Sequence, residues 1–93
     1  MKVVFNSSPL IFLSRLNYID NFIVSSDEYY LPESVLGEIV AKQDQVSIEI
    51  QRLVKSQKIQ VERVKFLSLA SRLNERLGRG EAEAIALGIQ LSF

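Results

Sequence analysis

Leu77-Gly78-Arg79-Gly80-Glu81-Ala82-Glu83-Ala84-Ile85-Ala86-Leu87 is the most informative stretch of this chain. Glycines open it, carboxylates follow at alternate positions, and Ala, Ile and Leu fill the remainder. The apolar residues run on through Gly88-Ile89-Gln90-Leu91, so a helix opened by Gly80 must lie largely buried. Just upstream, Phe66, Leu69, Ala70, Leu73 and Leu77 recur at helical spacing, and Gly78 reads as the stop of that helix. Gly78-Arg79-Gly80 is too short for a phosphate loop and reads as a C-cap and turn.

Working back towards the N-terminus, Lys58-Ile59-Gln60-Val61 has the β-branched alternation of a strand. Val46, Ile50, Leu53 and Val54 form the apolar stripe of a helix that Asp44 or Ser47 would cap. Val35, Leu36, Ile39 and Val40 mark another helix, starting at Pro32, which also closes a strand at Tyr29-Tyr30-Leu31. Ser25-Ser26-Asp27-Glu28 is a polar loop, and Tyr18–Phe22 a short helical piece. Ser8-Pro9 signals a helix start, with Ser8 as N-cap and Pro9 at the first helical position, followed by Leu10, Ile11, Leu13 and Leu16. Lys2-Val3-Val4-Phe5 is a buried strand.

Strands alternating with helices predict an α/β domain with a parallel sheet layered by helices. No repeat, linker or low-complexity tract divides residues 1–93, so they form a single domain. A buried helix ordinarily feeds another strand in such a fold. Here the sequence stops at Ser92-Phe93, so the expectation is either an unusual architecture or a domain cut short at its C-terminus.

Composition narrows the chemistry. The sequence contains neither Cys nor His, which excludes disulfides, thiolate and imidazole metal sites, and Ser–His–Asp triads. Carboxylates, amides, hydroxyls, Lys and Arg remain. Apolar runs fall far short of the roughly 20 residues that span a bilayer, and no signal peptide is legible, so no membrane association and a cytoplasmic location are expected. Net charge is zero, yet its distribution is uneven. Residues 42–79 hold nine bases and four acids, whereas residues 1–41 hold two bases and five acids. A basic middle beside acidic ends suits a phosphate backbone next to a metal cluster. It equally suits the solvated faces of two helices.

Ligands in open parallel sheets bind beyond the carboxyl ends of the strands. Asn6 stands at that end of the first strand, Glu38 lies in the helix after the second, and Glu81 and Glu83 begin the last helix. Such oxygen donors suit a hard cation, Mg²⁺ or Mn²⁺. Each residue also has a plainer explanation. Asn6 would cap a turn, Glu38 would face solvent, Glu81 and Glu83 would complement a helix dipole, and Ser7 and Ser8 would be caps.

Taken together, three blocks carry a resemblance: Val3-Val4-Phe5-Asn6-Ser7-Ser8-Pro9-Leu10-Ile11, Tyr30-Leu31-Pro32-Glu33-Ser34-Val35-Leu36-Gly37-Glu38-Ile39, and Leu77–Leu87. Their order and spacing resemble the PIN-domain family, nearest its VapC-like ribonuclease branch, over essentially the whole chain and the first two-thirds of the domain. That resemblance implies a three-layer α/β/α sandwich and a Mg²⁺- or Mn²⁺-dependent single-stranded RNA endonuclease site. By position it carries the first acid onto Asn6, the second onto Glu38, and the third onto Glu81, preferred to Glu83. Ser8 matches a family hydroxyl near the metal, and Glu38 and Glu81 would be the catalytic acids. Asn6 replaces the family's Asp, and a further strand with its Asp is absent, so activity is expected to be weak or lost. The implied partners are RNA, an antitoxin-like protein in a toxin–antitoxin pair, and further copies of the chain. The alternative is a non-catalytic RNA- or protein-binding module, since a missing strand would leave an open sheet edge.

Overall fold

The chain is organised around a strand buried on both faces. The computed structural model describes residues 1–24 and 27–92, so Ser25 and Ser26 of the expected polar loop lie outside the described residues. Its strands are β1 (Lys2–Val4), β2 (Glu28–Pro32) and β3 (Gln60–Glu62). They form a parallel three-stranded sheet in the order β1-β2-β3. The register pairs Val4 with Tyr30 and Tyr30 with Gln60. The helices are α1 (Ser7–Arg15), α2 (Ile19–Phe22), α3 (Glu33–Ala41), α4 (Gln45–Lys55), α5 (Leu67–Asn74) and α6 (Arg79–Leu91).

Alternation along β2 divides the core in two. Tyr29 and Leu31 point into one cluster with Leu10, Ile19, Ile39, Ile50 and Leu53, supplied by α1 to α4. Tyr30 points the other way, to Val64, Ala70, Ala86 and Leu87 around α5 and α6. The result is the expected three-layer α/β/α sandwich. Full burial of Leu31 contributes about 1.5–3 kcal/mol, as for any large aliphatic side chain removed from water. A one-residue slip of β2 would exchange the two cores, so its register is strongly specified. Burial, then the hydrogen bond its hydroxyl donates to Glu28 (3.0 Å), then the charges of Glu28 and Glu62 raise the Tyr30 phenol above its ordinary value of 10.0.

Several boundaries depart from the sequence expectation for identifiable reasons. α1 begins at Ser7, with Asn6 rather than Ser8 at the N-cap. Pro9 is then the third helical residue, where its missing N–H still costs nothing because the first four have no intrahelical acceptor. Gly78 does not stop the preceding helix. α5 ends at Asn74, and Gly78, with φ −71° and ψ 160°, is the N-cap of α6. Arg79 and Gly80 therefore lie inside the first turn of α6, not in a cap and turn. β3 starts later than Lys58 because the Lys58 and Ile59 N–H groups donate to Leu53 O at the end of α4. Of the two candidate caps for α4, Asp44 acts, its Oδ1 accepting from Ser47 N–H at 2.9 Å. Among the described residues no helix is long and apolar enough to cross a membrane.

Helix ends that lack glycine carry a local cost. Asn17, Gln43 and Gln57 have φ of 56°, 51° and 63°, each just past a helix C-cap. Gln57 N–H donates to Val54 O (3.1 Å) and Lys58 N–H to Leu53 O (2.9 Å), the paired bonds of a Schellman ending. A glutamine there pays the left-handed penalty that glycine does not, about 1–2 kcal/mol. Gln57→Gly is expected to raise unfolding stability by about 0.5–1 kcal/mol, the unfolded chain's extra freedom offsetting part of the gain. Urea denaturation measures it, and a lower midpoint would show that this ending is not formed.

Candidate functional site

All three strands run parallel, so their carboxyl ends share one rim. Asn6 follows β1 there, in extended backbone (φ −99°, ψ 177°) at the N-cap of α1. Its side chain makes no capping bond, and Oδ1 is buried without a hydrogen-bond partner among the described residues. The turn-capping explanation for this residue is therefore not what its amide does. A buried acceptor left unpaired costs about 1–3 kcal/mol, which marks the position as unexplained by folding alone.

The start of α6 meets the same rim. A Cβ placed on Gly80 would lie 3.9 Å from Ser7 Oγ and 4.0 Å from Val35 Cγ2. The opening turns of α1, α3 and α6, one from each sequence block, thus converge. Further along, a Cβ on Gly88 would lie 4.0 Å from Val4 Cγ2, and Lys2 Nζ donates to Leu91 O at 3.0 Å. α6 therefore runs antiparallel to β1, from its carboxyl end to its start.

The candidate acids separate on this frame. Glu81 is exposed and shares a concavity of about 630 Å³ with Asn6, bordered by Val4, Phe12, Phe22 and Ile85. Glu83 turns towards α5, where with Arg79 it borders a smaller concavity of about 250 Å³. Its Oε1 accepts from Arg79 Nε at 3.3 Å, while Oε2 is buried without a partner among the described residues. Glu38 is exposed on α3, one turn beyond Val35. Ser8 is exposed as well, and the hydroxyl facing Gly80 belongs to Ser7. Position in the third block favours Glu81. The partnerless oxygen on Glu83 is a signal that only coordinates reveal, because it depends on packing against α5.

An oxygen-only donor set suits a hard divalent cation in kind. It does not fit one in number: among the described residues no group of three or more acidic side chains could hold a metal ion. The basic middle of the sequence is also divided. Arg52, on α4, pairs with Asp20 of α2 at 3.2 Å, whereas Arg72 belongs to α5 in the opposite layer.

Placing a carboxylate where Asn6 stands tests whether its buried oxygen belongs to an ion site. Asn6→Asp is expected to lose about 1–3 kcal/mol without divalent cations, since the added charge meets no donor. Mn²⁺ should then raise the melting temperature of the variant more than that of the parent. An equal response of both proteins to Mn²⁺, followed by thermal denaturation, would contradict an ion site at this rim.

No curated protein and no solved structure gives a significant match to the chain. A family model described as a PIN domain matches residues 2–92. With the α/β/α layers and the meeting of the three blocks at one rim, that match establishes that the chain belongs to the PIN-domain family.

Proposed function

We propose that this chain is a cytoplasmic PIN module nearest the VapC-like ribonucleases, related to Mg²⁺- or Mn²⁺-dependent single-stranded RNA endonucleases, with cleavage weak or absent in its present form. One observation carries the reading. Asn6, the position onto which the resemblance carries the family's first acid, holds an oxygen that is buried and has no hydrogen-bond partner among the described residues, in the concavity that also contains Glu81. The location suits the ancestral site, and the amide in place of a carboxylate accounts for its weakness. Ligand charge count sets the affinity of hard-cation sites, so one lost carboxylate weakens binding sharply.

In this reading Glu38 and Glu81 are the acids of the site, Glu83 is the alternative third acid, and Ser8 is the hydroxyl of the first block. Arg79, the i,i+4 partner of Glu83 (3.3 Å), keeps its own side chain 66% exposed beside a Glu83 that is 18% exposed, so water competes for its guanidinium. It would yield readily to a stronger cation. The partner classes that accompany the reading are RNA, met by bases of residues 42–79, and an antitoxin-like protein.

The deciding experiment is cleavage of a single-stranded RNA in Mn²⁺ by the parent chain, Glu38→Ala and Asn6→Asp. Trace or no cleavage is expected from the parent, more from Asn6→Asp, and none from Glu38→Ala. Efficient cleavage by the parent that survives Glu38→Ala would overturn the assignment.

A further inference from the structure

We propose that the concavity between α5 and the opening of α6 binds one guanine base of a single-stranded RNA, read by the carboxylate of Glu83. The inference rests on the RNA reading above, in which Glu81 is preferred as the third acid and the buried oxygen of Glu83 is left without a partner. Glu83 Oε2 is buried with no hydrogen-bond partner among the described residues. An unpaired carboxylate oxygen is more costly to bury than a neutral acceptor, and a donor brought by a ligand would relieve that cost. Oε1 accepts from Arg79 Nε at 3.3 Å.

The concavity measures about 250 Å³ and is lined by Leu67, Ala70, Ser71 and Asn74 on the α5 side and by Arg79 and Glu83 of α6. Pockets for drug-sized ligands begin at roughly 300 Å³, so this one suits a smaller body, such as a single base. Its walls are of two kinds. Leu67 and Ala70 offer apolar surface to the flat face of a base, and Leu67 is 70% exposed. Ser71, Asn74 and Glu83 offer polar groups to its edge, the combination by which splayed single-stranded bases are read. The concavity lies on a different side of α6 from the one shared by Asn6 and Glu81, so it does not depend on what lies beside β1.

Hydrogen-bond chemistry selects guanine among the bases. An ionised carboxylate only accepts. Adenine and cytosine each set one amino donor beside a ring-nitrogen acceptor on their Watson–Crick edges, and uracil sets one N–H between two carbonyls. Guanine alone presents two adjacent donors, N1–H and the N2 amino group, which match the two oxygens of Glu83. Ser71 and Asn74 carry donors for the adjoining O6. Taking both donors requires Glu83 to release Arg79, whose exposed guanidinium is then free to pair with a phosphate of the same strand. Charge favours a nucleic acid over a cationic peptide: residues 67–79, which frame the concavity, hold Arg72, Arg76 and Arg79, all exposed, against one acid, Glu75. Glu81 and Glu83 face different sides of one helix, so the base would lie about 10–12 Å, one helix diameter, from the candidate cleavage rim. That separation makes it a near neighbour of the scissile bond.

Fluorescence anisotropy in EDTA tests binding apart from cleavage, using a uridine-rich RNA with one central guanosine and the same strand with adenosine or inosine in its place. The chain should bind the guanosine strand about tenfold more tightly than the adenosine strand, as for a bidentate base contact. Inosine, which lacks the N2 amino group, should fall between them. Glu83→Gln, which replaces one acceptor oxygen by a donor, should abolish the preference. Far-UV circular dichroism checks that the variant is folded. If it is not, Ser71→Phe, at an exposed position, fills the concavity and should abolish the preference instead. Equal affinity for the three strands would overturn the proposal and leave the RNA reading standing. A preference that survives the substitution would place guanine recognition elsewhere and overturn it as well. Failure to bind any strand would overturn both readings, and binding of an arginine-rich peptide through Glu83 in their place would assign the concavity to a protein.

Discussion

The constraint on which this molecule depends is the burial of β2 on both faces. Leu31 and Tyr29 serve one core and Tyr30 the other, so strand register and the division of helices between layers are specified together. Because β1 and β3 pair in parallel with β2, the segments that follow each strand emerge on one side. That arrangement, and no local motif, delivers Asn6 and the opening turn of α3 to a common rim. α6 then returns antiparallel to β1, and its first turn completes the convergence.

Much of this was legible because the patterns were strong. The apolar stripes of α3 and α4 and the Ala-rich run of α6 each point to a buried face, and α/β alternation implies the layers. The failures were at boundaries, where tertiary hydrogen bonds compete with local preference. Gly78 resembles a helix stop, yet α5 ends earlier and the glycine adopts an extended conformation open to any residue. Lys58 has strand-like neighbours, but its N–H closes α4 instead. Ser8-Pro9 is a good helix-start signal displaced by the turn at Asn6, where β1 ends and the backbone is already extended.

The candidate site was legible as a location and less so as an arrangement. The three blocks point to the carboxyl rim of the sheet, and there a Cβ built on Gly80 would lie 3.9 Å from Ser7 Oγ and 4.0 Å from Val35 Cγ2. Side-chain direction is another matter. Glu81 and Glu83 are two residues apart on a helix, so they point to different sides, one towards Asn6 and the other towards α5. Block position prefers Glu81 to Glu83 but does not set their side-chain directions, because those depend on where α5 packs. The buried oxygens of Asn6 and Glu83 are likewise products of packing. The Asn6 oxygen leaves an unused polarity at the rim, and the Glu83 oxygen leaves one on the side facing α5.

Convergence of the first and third blocks can be measured directly, aided by the absence of cysteine from the chain. Ser7→Cys combined with Gly80→Cys places two thiols where a Cβ at position 80 lies 3.9 Å from the hydroxyl oxygen of residue 7, close to the span of a disulfide. Mild oxidation should form an intramolecular bond in nearly all of the folded protein, seen as faster migration on a non-reducing gel and lost on reduction. If the thiols stay free in the folded chain, or cross-link only between molecules, α6 does not begin beside α1. The shared rim on which the account is built would then not exist.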